Sequence, residues 1–463
     1  MPHVDPQMID QLRAGLDDGA ILVDPATTEA YRYDMAKFCA AGQPAVVVRP
    51  RTTEQVQHVM RVAFAHGVPV VPQGARSGLS GGANAIDGCI VLSLAGMDRI
   101  IEIDEGEQLA VVEAGVVNAV LSRAVLEKGL FYPPDPSSWD WSTIGGNVAT
   151  NAGGLCCVKY GVTADFVRAL EVVLADGTVL RTGRRTAKGV AGYDLTRLLT
   201  GSEGTLCVIT QVTVALRVAP EAALTIAAVF DSPSSAMAAV AGIMASGVEP
   251  SLLEFLDATS LAAITAYRDM GLPAHARALL LAQSDRGSRA PQDVAAMAAI
   301  CRELGALDVA EASDAAESAM LLEARRLVGP AMDAWGVTLV DDVAVPREKL
   351  VALLIGIEAI AKDLDVMIAC PGHAGDGNMH PTVIFPPGDH AAQERAVEAF
   401  EAIMRLGLEL GGTITGEHGI GVLKRDWLGR ELGEVNLRLQ RELKAVFDPQ
   451  NLLNPTKMLP VAT

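Results

Sequence analysis

The apolar positions of this chain follow two rhythms: short continuous runs of the kind buried strands need, and stretches with the 3.6-residue spacing of helices. A short helical opening ends near Gly19. Residues 45–50 (Ala-Val-Val-Val-Arg-Pro) read as a buried strand, residues 53–65 as an amphipathic helix and residues 68–72 (Val-Pro-Val-Val-Pro) as a second strand. This order predicts a small α/β unit whose last strand runs into a glycine-dense loop, residues 73–83. From 89 to 216 the pattern is short β-rich runs, at 100–104, 109–114, 170–175 and 205–210, cut by turn residues such as Asp176 and Gly177. That is α+β text rather than a regular doubly wound sheet. Beyond Pro220 the composition turns alanine-rich and helical, so a boundary falls near 220. The second unit runs to about 415, with strands at 223–230, 277–282 and 337–345 and helices at 291–304, 347–362 and 390–410.

Composition removes several function classes. At 463 residues the chain has room for two to four structural units. Lys plus Arg is 37 against Asp plus Glu 56, a net charge of −19, so there is no basic footprint for a nucleic acid. Seven cysteines without a CxxC pair fit a reducing compartment. The N-terminal residues are acidic without an apolar core, and no run of 18 apolar residues occurs, so the expected location is cytoplasmic, with contact at a membrane surface left open.

Three glycine segments carry candidate chemistry. The first, from Pro72 through Gly74, Ala75, Arg76, Ser77, Gly78, Leu79, Ser80 and Gly81, lets the backbone approach a ligand closely, because glycine has no Cβ. Its amides can form an anion nest to which Arg76 adds charge, although a plain tight turn has the same composition. Its spacing is neither the dinucleotide GxGxxG nor a Walker loop, which disfavours a nicotinamide site and an NTPase. The second segment holds Ser142, Thr143, Gly145, Gly146, Asn147, Thr150, Asn151, Gly153 and Gly154, small residues on which a flat ring system can lie. The third runs from Gly192-Tyr-Asp-Leu to Gly201-Ser-Glu-Gly-Thr-Leu and includes Glu203 and Gly204.

Together these segments resemble the flavin-binding half of the vanillyl-alcohol-oxidase type FAD oxidoreductases. The resemblance implies that the first loop holds the FAD pyrophosphate, the second lies along the flavin and the region of the third meets the adenine side. It adds Pro134, Asp135 and Asn454 to the FAD contacts. Relatives with covalent flavin use a histidine in or beside the first loop; residues 72–83 contain none, so a non-covalent FAD is expected.

The second half carries Cys370-Pro-Gly-His-Ala-Gly-Asp-Gly-Asn-Met-His-Pro, with His373 and His380 seven residues apart. On a helix they would stand roughly 10 Å apart, and on a straight strand they would face opposite ways. If Asp376 and Gly377 form a two-residue hairpin turn, His373 faces His380 with Cβ atoms about 4.5–5.5 Å apart, a spacing that suits one metal ion. A third ligand is available in Thr415-Gly-Glu-His-Gly-Ile-Gly. A structural zinc is less well served, since Cys370 is the only nearby thiol.

These motifs resemble the FAD-linked D-2-hydroxyacid dehydrogenases, the group of D-lactate dehydrogenases, the glycolate oxidase FAD subunit and D-2-hydroxyglutarate dehydrogenases, from about residue 40 to Pro460. The resemblance implies a two-part FAD-binding domain at 41–220 after an N-terminal helical segment, 1–40. It also implies an α+β substrate cap with an antiparallel sheet at 221–415 and a C-terminal segment, 416–463, that returns to the FAD domain. It makes His373, His380 and Glu417 ligands of a divalent metal, zinc by preference. It sets His418 against the substrate with Asn378 nearby, and gives the substrate carboxylate to Arg325, with Arg326 next to it as the competing choice. Where the hydroxyglutarate enzymes use a threonine and a lysine, this chain has Gly329 and Val340, which argues for a monocarboxylate. The expected reaction takes a D-2-hydroxy acid to the 2-oxo acid, with hydride passing to flavin N5 and the hydroxyl proton to His418. The sequence names no electron acceptor and leaves a quinone, a cytochrome, an electron-transfer flavoprotein and oxygen open, and a homodimer is compatible with the resemblance. A metal-dependent hydrolase and a flavin electron-transfer subunit without its own substrate each account for only one half of the motifs.

Overall fold

The computed structural model describes residues 5–36, 38–273 and 275–460. The chain divides into two compact units. The first takes in the described residues up to Gly154, Val162–Ala219 and those from Glu417 onward; the second is Leu155–Gly161 with Pro220–Gly416.

In the first unit, strands Ile21–Leu22, Val46–Val48, Ile90–Ser93 and Val70–Gln73 lie in that order, and the last three run parallel. Such strands are buried on both faces, which is why they read as continuous valine and isoleucine runs; Val47, Val71 and Val91 pack with Ala85 and Cys89. Helix Thr53–His66 crosses between the parallel strands, capped by the Thr52 side chain and ended by Gly67 in the left-handed region. A second, antiparallel sheet has the order Ile100–Asp104, Leu109–Glu113, Val208–Ala215, Val167–Val173, Val179–Gly183.

The second unit has a seven-stranded antiparallel sheet: Asp308–Glu311, Leu224–Phe230, Ala278–Ser284, Leu252–Asp257, Gly372–His373, Asn378–Met379 and Val343–Ala344. A three-stranded sheet, Val337–Val340, Thr382–Phe385 and Met367–Ala369, accompanies it. Helices Pro233–Ala245, Ala290–Glu303, Leu350–Asp363 and His390–Glu409 belong to the same unit. This is the α+β architecture with an antiparallel sheet that the sequence predicts.

Three elements differ from expectation. The opening helix is Pro6–Ala14, ended by Gly15 rather than near Gly19. The predicted strand 337–345 is two strands, because Asp341 and Asp342, both fully buried, stand where the chain leaves one sheet for the other. Strand Leu252–Asp257, at the middle of the larger sheet, has no counterpart among the predicted strands. None of the seven cysteines forms a disulfide. Among the described residues no helix is long and apolar enough to cross a membrane.

Candidate active site

The first unit holds a cleft of about 1290 Å³, counting the part open to solvent. Strand Val70–Gln73 delivers the first glycine loop to its wall, and Pro72, Gly74, Ala75, Arg76, Ser77, Gly78, Leu79 and Ser80 all line it. Gly74 must be glycine: a Cβ there would stand 2.3 Å from Thr143 Oγ1, so the first loop packs backbone to side chain on the second segment. The Arg76 guanidinium donates to the Ala30 carbonyl and stacks 5.0 Å from the Tyr31 ring. Gly81 lies behind the lining, and its carbonyl accepts from the Lys457 ammonium, which also donates to the carbonyls of Gly82 and Asn84.

The second segment forms helix Ile144–Thr150, with the Thr143 hydroxyl accepting from Gly146 N. Gly145, Gly146, Asn147, Thr150 and Gly153 line the cleft. Gly145 rests on Ala114, where a Cβ would come within 2.6 Å of Ala114 Cβ. Asn147 is 3% exposed and its amide nitrogen has no hydrogen-bond partner among the described residues. A buried donor of this kind is costly unless a ligand meets it. Ser142, Thr143, Asn151 and Gly154 support the segment from behind rather than lining the cleft. So do Pro134, whose carbonyl accepts from Asn118, and Asp135, against whose backbone Gly154 packs.

The third segment divides. Glu203 and Gly204 line the cleft, whereas Tyr193 is 96% exposed, and residues 192–195 are not among the lining residues. Glu203 does more than the sequence suggests. Its buried carboxylate accepts from Ile420 N and Gly421 N, both at 2.7 Å, and so anchors the loop that carries Glu417 and His418. Burial raises the Glu203 pKa against those two donors. Asn454 donates to the carbonyls of Gly82 and Glu203, tying the last residues of the unit to both walls.

Glu417 and His418 line this same cleft, with the His418 Nε2 3.7 Å from a Glu417 oxygen. Gly153 makes this possible, since a Cβ on it would stand 2.3 Å from the Glu417 carboxylate. Sequence reasoning missed the apolar wall of Leu94, Ala114, Cys207 and Ile209; these residues carry no motif. Burial pushes the Cys207 thiol up to about 12, so it serves as wall and not as nucleophile. Glycine backbone on one side, an unpaired buried amide and an apolar wall on the other fit FAD.

The second unit holds a polar centre in the hairpin. The hairpin forms, but His373 pairs with Asn378, so the turn has four residues and not two. His380 N donates to the Pro371 carbonyl accordingly. A register slip of two residues keeps every side chain on its face, and the histidines still meet, with ring centroids 4.9 Å apart and planes at 85°. Asn378 is buried beside them, and Gly416 packs against its amide, where a Cβ would come within 2.4 Å. Asp342, fully buried, accepts from the Thr415 hydroxyl at 2.7 Å and lies 3.7 Å from the His380 Nδ1.

Like Asp342, Glu254 is a residue that sequence reasoning missed here. The His373 Nδ1 lies 2.6 Å from its Oε1, and the Arg325 Nε donates to its Oε2, also at 2.6 Å. Burial pushes the Glu254 carboxyl up, but the charges of His373 and Arg325 and their hydrogen bonds outweigh it and hold the pKa below the ordinary value. Of the two candidate arginines, Arg325 is thus packed into the centre, while Arg326 is exposed. Gly329 lies one helical turn beyond Arg325, and nothing stands within 4 Å of where its Cβ would be. Two close imidazoles, one oriented through Nδ1 by a carboxylate, have the donor chemistry of a divalent-cation site.

Residues 44–183 match the model of the FAD binding domain, and residues 219–458 match that of the FAD linked oxidases, C-terminal domain. The glycolate oxidase subunit GlcD of Bacillus subtilis is 44% identical over 85% of this chain and 84% of its own length. The D-lactate dehydrogenase of Anaerostipes hadrus is 33% identical over 98% of both. Among solved structures, 4-ethylphenol oxidase from Gulosibacter chungangensis superposes with a TM-score of 0.80 over 99% of this chain and 98% of that one, at 19% identity, a likeness of fold.

Proposed function

The chain belongs to the family of FAD-linked oxidases, and from that premise we propose that it oxidises a D-2-hydroxy monocarboxylic acid such as D-lactate or glycolate to the 2-oxo acid. The observation that carries this reading is that Glu417 and His418 form part of the wall of the flavin cleft itself. A histidine in that wall offers an imidazole to take the proton from the substrate oxygen as hydride leaves the carbon that bears it.

Bound FAD supplies the hydride acceptor, and a bound divalent metal, zinc by preference, supplies polarisation of the substrate hydroxyl. His373 and His380, with Glu417, are the ligands we assign to that metal. His418 accepts the hydroxyl proton on a neutral imidazole nitrogen. Arg325, held at Nε by Glu254, keeps its two terminal nitrogens for the substrate carboxylate, and this contact fixes which face of the α-carbon meets the flavin. Asn378 orients the substrate from the hairpin. No cation is supplied by Gly329 or Val340 for a second carboxylate. Electrons leave to a quinone, a cytochrome or an electron-transfer flavoprotein.

The test is an anaerobic visible spectrum of the purified protein during addition of D-lactate, L-lactate, glycolate, D-2-hydroxyglutarate and a longer apolar D-2-hydroxy acid, with and without chelator. Flavin bleaching by D-monoacids that chelator abolishes is the expected result. Bleaching by hydroxyglutarate alone overturns the monocarboxylate assignment, and a yellow protein that none of these acids bleaches overturns the reaction. His418→Ala should lower turnover about 10²-fold with flavin content unchanged; full activity would remove His418 from its role.

A further inference from the structure

Strand Leu252–Asp257 is a run of fully buried residues, Leu-Leu-Glu-Phe-Leu, interrupted by one carboxylate. A lone buried carboxylate is expensive unless its charge is matched, so Glu254 is retained against a cost. The sheet register says for what. Phe255 pairs with Gly372 across the antiparallel ladder, which sets Glu254 opposite His373, and His373 in turn is opposite Asn378. Glu254, His373 and Asn378 therefore form one row across three neighbouring strands on one face. Helix Glu323–Asp333 brings Arg325 to the far oxygen of the same carboxylate.

We propose that Glu254 is a positioning residue that sets the metal-ligand histidine and the carboxylate-binding arginine from its two oxygens at once, so that metal affinity and substrate affinity depend on one buried group. The inference rests on the function proposed above. With the carboxylate ionised, the Oε1 contact places the proton of His373 on Nδ1 and leaves the lone pair on Nε2, the tautomer a metal requires. The Oε2 contact occupies the Arg325 Nε alone and leaves the planar fork of two terminal nitrogens to a ligand. With both oxygens occupied, a displacement of either partner moves the other. An isolated structural ion pair would not have this property, because loss of the pair would lower stability without touching two separate binding constants.

The experiment uses the FAD-loaded full chain. Zinc affinity is read by competition with a chromophoric chelator, and hydroxy-acid affinity by the concentration dependence of flavin bleaching, in wild type, Glu254→Gln and Glu254→Asp. In Glu254→Gln the amide can accept from only one partner, so zinc affinity should fall about 10- to 100-fold and the half-bleaching concentration of D-lactate should rise in parallel, with flavin content unchanged. Glu254→Asp keeps the charge but shortens the reach, and should recover part of the zinc affinity and less of the acid affinity. The Asp variant serves if the Gln variant does not fold, and losses in both constants with the thermal midpoint held support the proposal. Unchanged constants in either folded variant overturn it, as does a fall in thermal midpoint alone. If wild type itself neither binds zinc nor bleaches with any hydroxy acid, the proposed function fails instead, an outcome this design separates from failure of the Glu254 assignment.

Discussion

The glycine-lined cleft and the histidine hairpin are built on opposite principles. The cleft is a surface from which side chains have been removed. Gly74, Gly145 and Gly153 each stand where a Cβ would press within about 2.6 Å of a neighbour, and the loop is held from behind through its carbonyls. The hairpin is a surface on which charged side chains are concentrated, with Glu254, Asp342, His373 and His380 all under 9% exposed. A long, flat, anionic cofactor needs shape and many weak donors. The hydroxy acid and cation proposed for the hairpin would need a few strong groups in fixed orientation. The comparison teaches that the same protein tolerates substitution differently in its two regions: volume is forbidden in the first, and charge cannot be changed in the second.

The largest break follows from adding volume to the cleft. Gly145→Val forces a branched side chain against Ala114, whose carbonyl oxygen would already lie 2.8 Å from the first added carbon. Such overpacking costs ~1–3 kcal/mol, and the protein should purify colourless, with flavin affinity down at least ~100-fold by titration. Retention of a full flavin absorption band per chain would show that the second segment does not bear the flavin.

A smaller change tests the hairpin side. Arg325→Lys keeps the charge but cannot both pair with Glu254 and present a planar fork. The KM for the hydroxy acid should rise ~10- to 100-fold with flavin content constant, as steady-state kinetics would report. An unchanged KM would assign the carboxylate to another group.

One buried charge blurs the comparison, because Lys457 lies beneath the cleft's first loop. Burial lowers its pKa from 10.5 to about 8, against the pull of Asp34 and other neighbours. The native state therefore releases this proton before the unfolded chain does, and between pH 8 and 10.5 the unfolded chain holds more protons. The contribution of Lys457 to stability accordingly rises with pH across that window, by at most ~1.4 kcal/mol per pH unit, and is at its lowest below pH 8. Denaturant unfolding of wild type minus Lys457→Met should show this slope. A flat difference would mean that the ammonium is not desolvated.

The smallest expected effect belongs to the unpaired amide in the cleft. Asn147→Ala should weaken FAD about 5-fold, the equivalent of one net hydrogen bond near 1 kcal/mol, without altering the KM for the acid. A large change in KM there would erase the division of labour between the two regions.

Much of the cradle is legible in the sequence because what makes it is local. A glycine's missing Cβ is a property of the residue, so three glycine clusters in one half of the chain point to a closely held ligand on their own. The hairpin is legible for a related reason. Asp376 and Gly377 signal a turn, and although the pairing of His373 with Asn378 shifts the register by two, the period of a strand is also two, so the histidines meet as expected. The exposed Tyr193 marks the limit of such reasoning: residues 192–195 have a cradle's composition but do not line the cleft.

By itself the sequence determined the α+β architecture, the glycine surfaces and the identity of the chemical groups, since each follows from backbone freedom, hydrophobic period or side-chain type within a few residues. Tertiary structure alone decided which of those groups act together. Glu254, Arg325 and His373 are separated by 119 positions from first to last, and no local preference relates them. Glu203 and the loop of Glu417 are separated further still, joined by two backbone donors. The physical reason is that a buried carboxylate must find its counter-charges wherever the fold brings them, and that pairing is a property of sheet register and helix packing, which no stretch of chain contains.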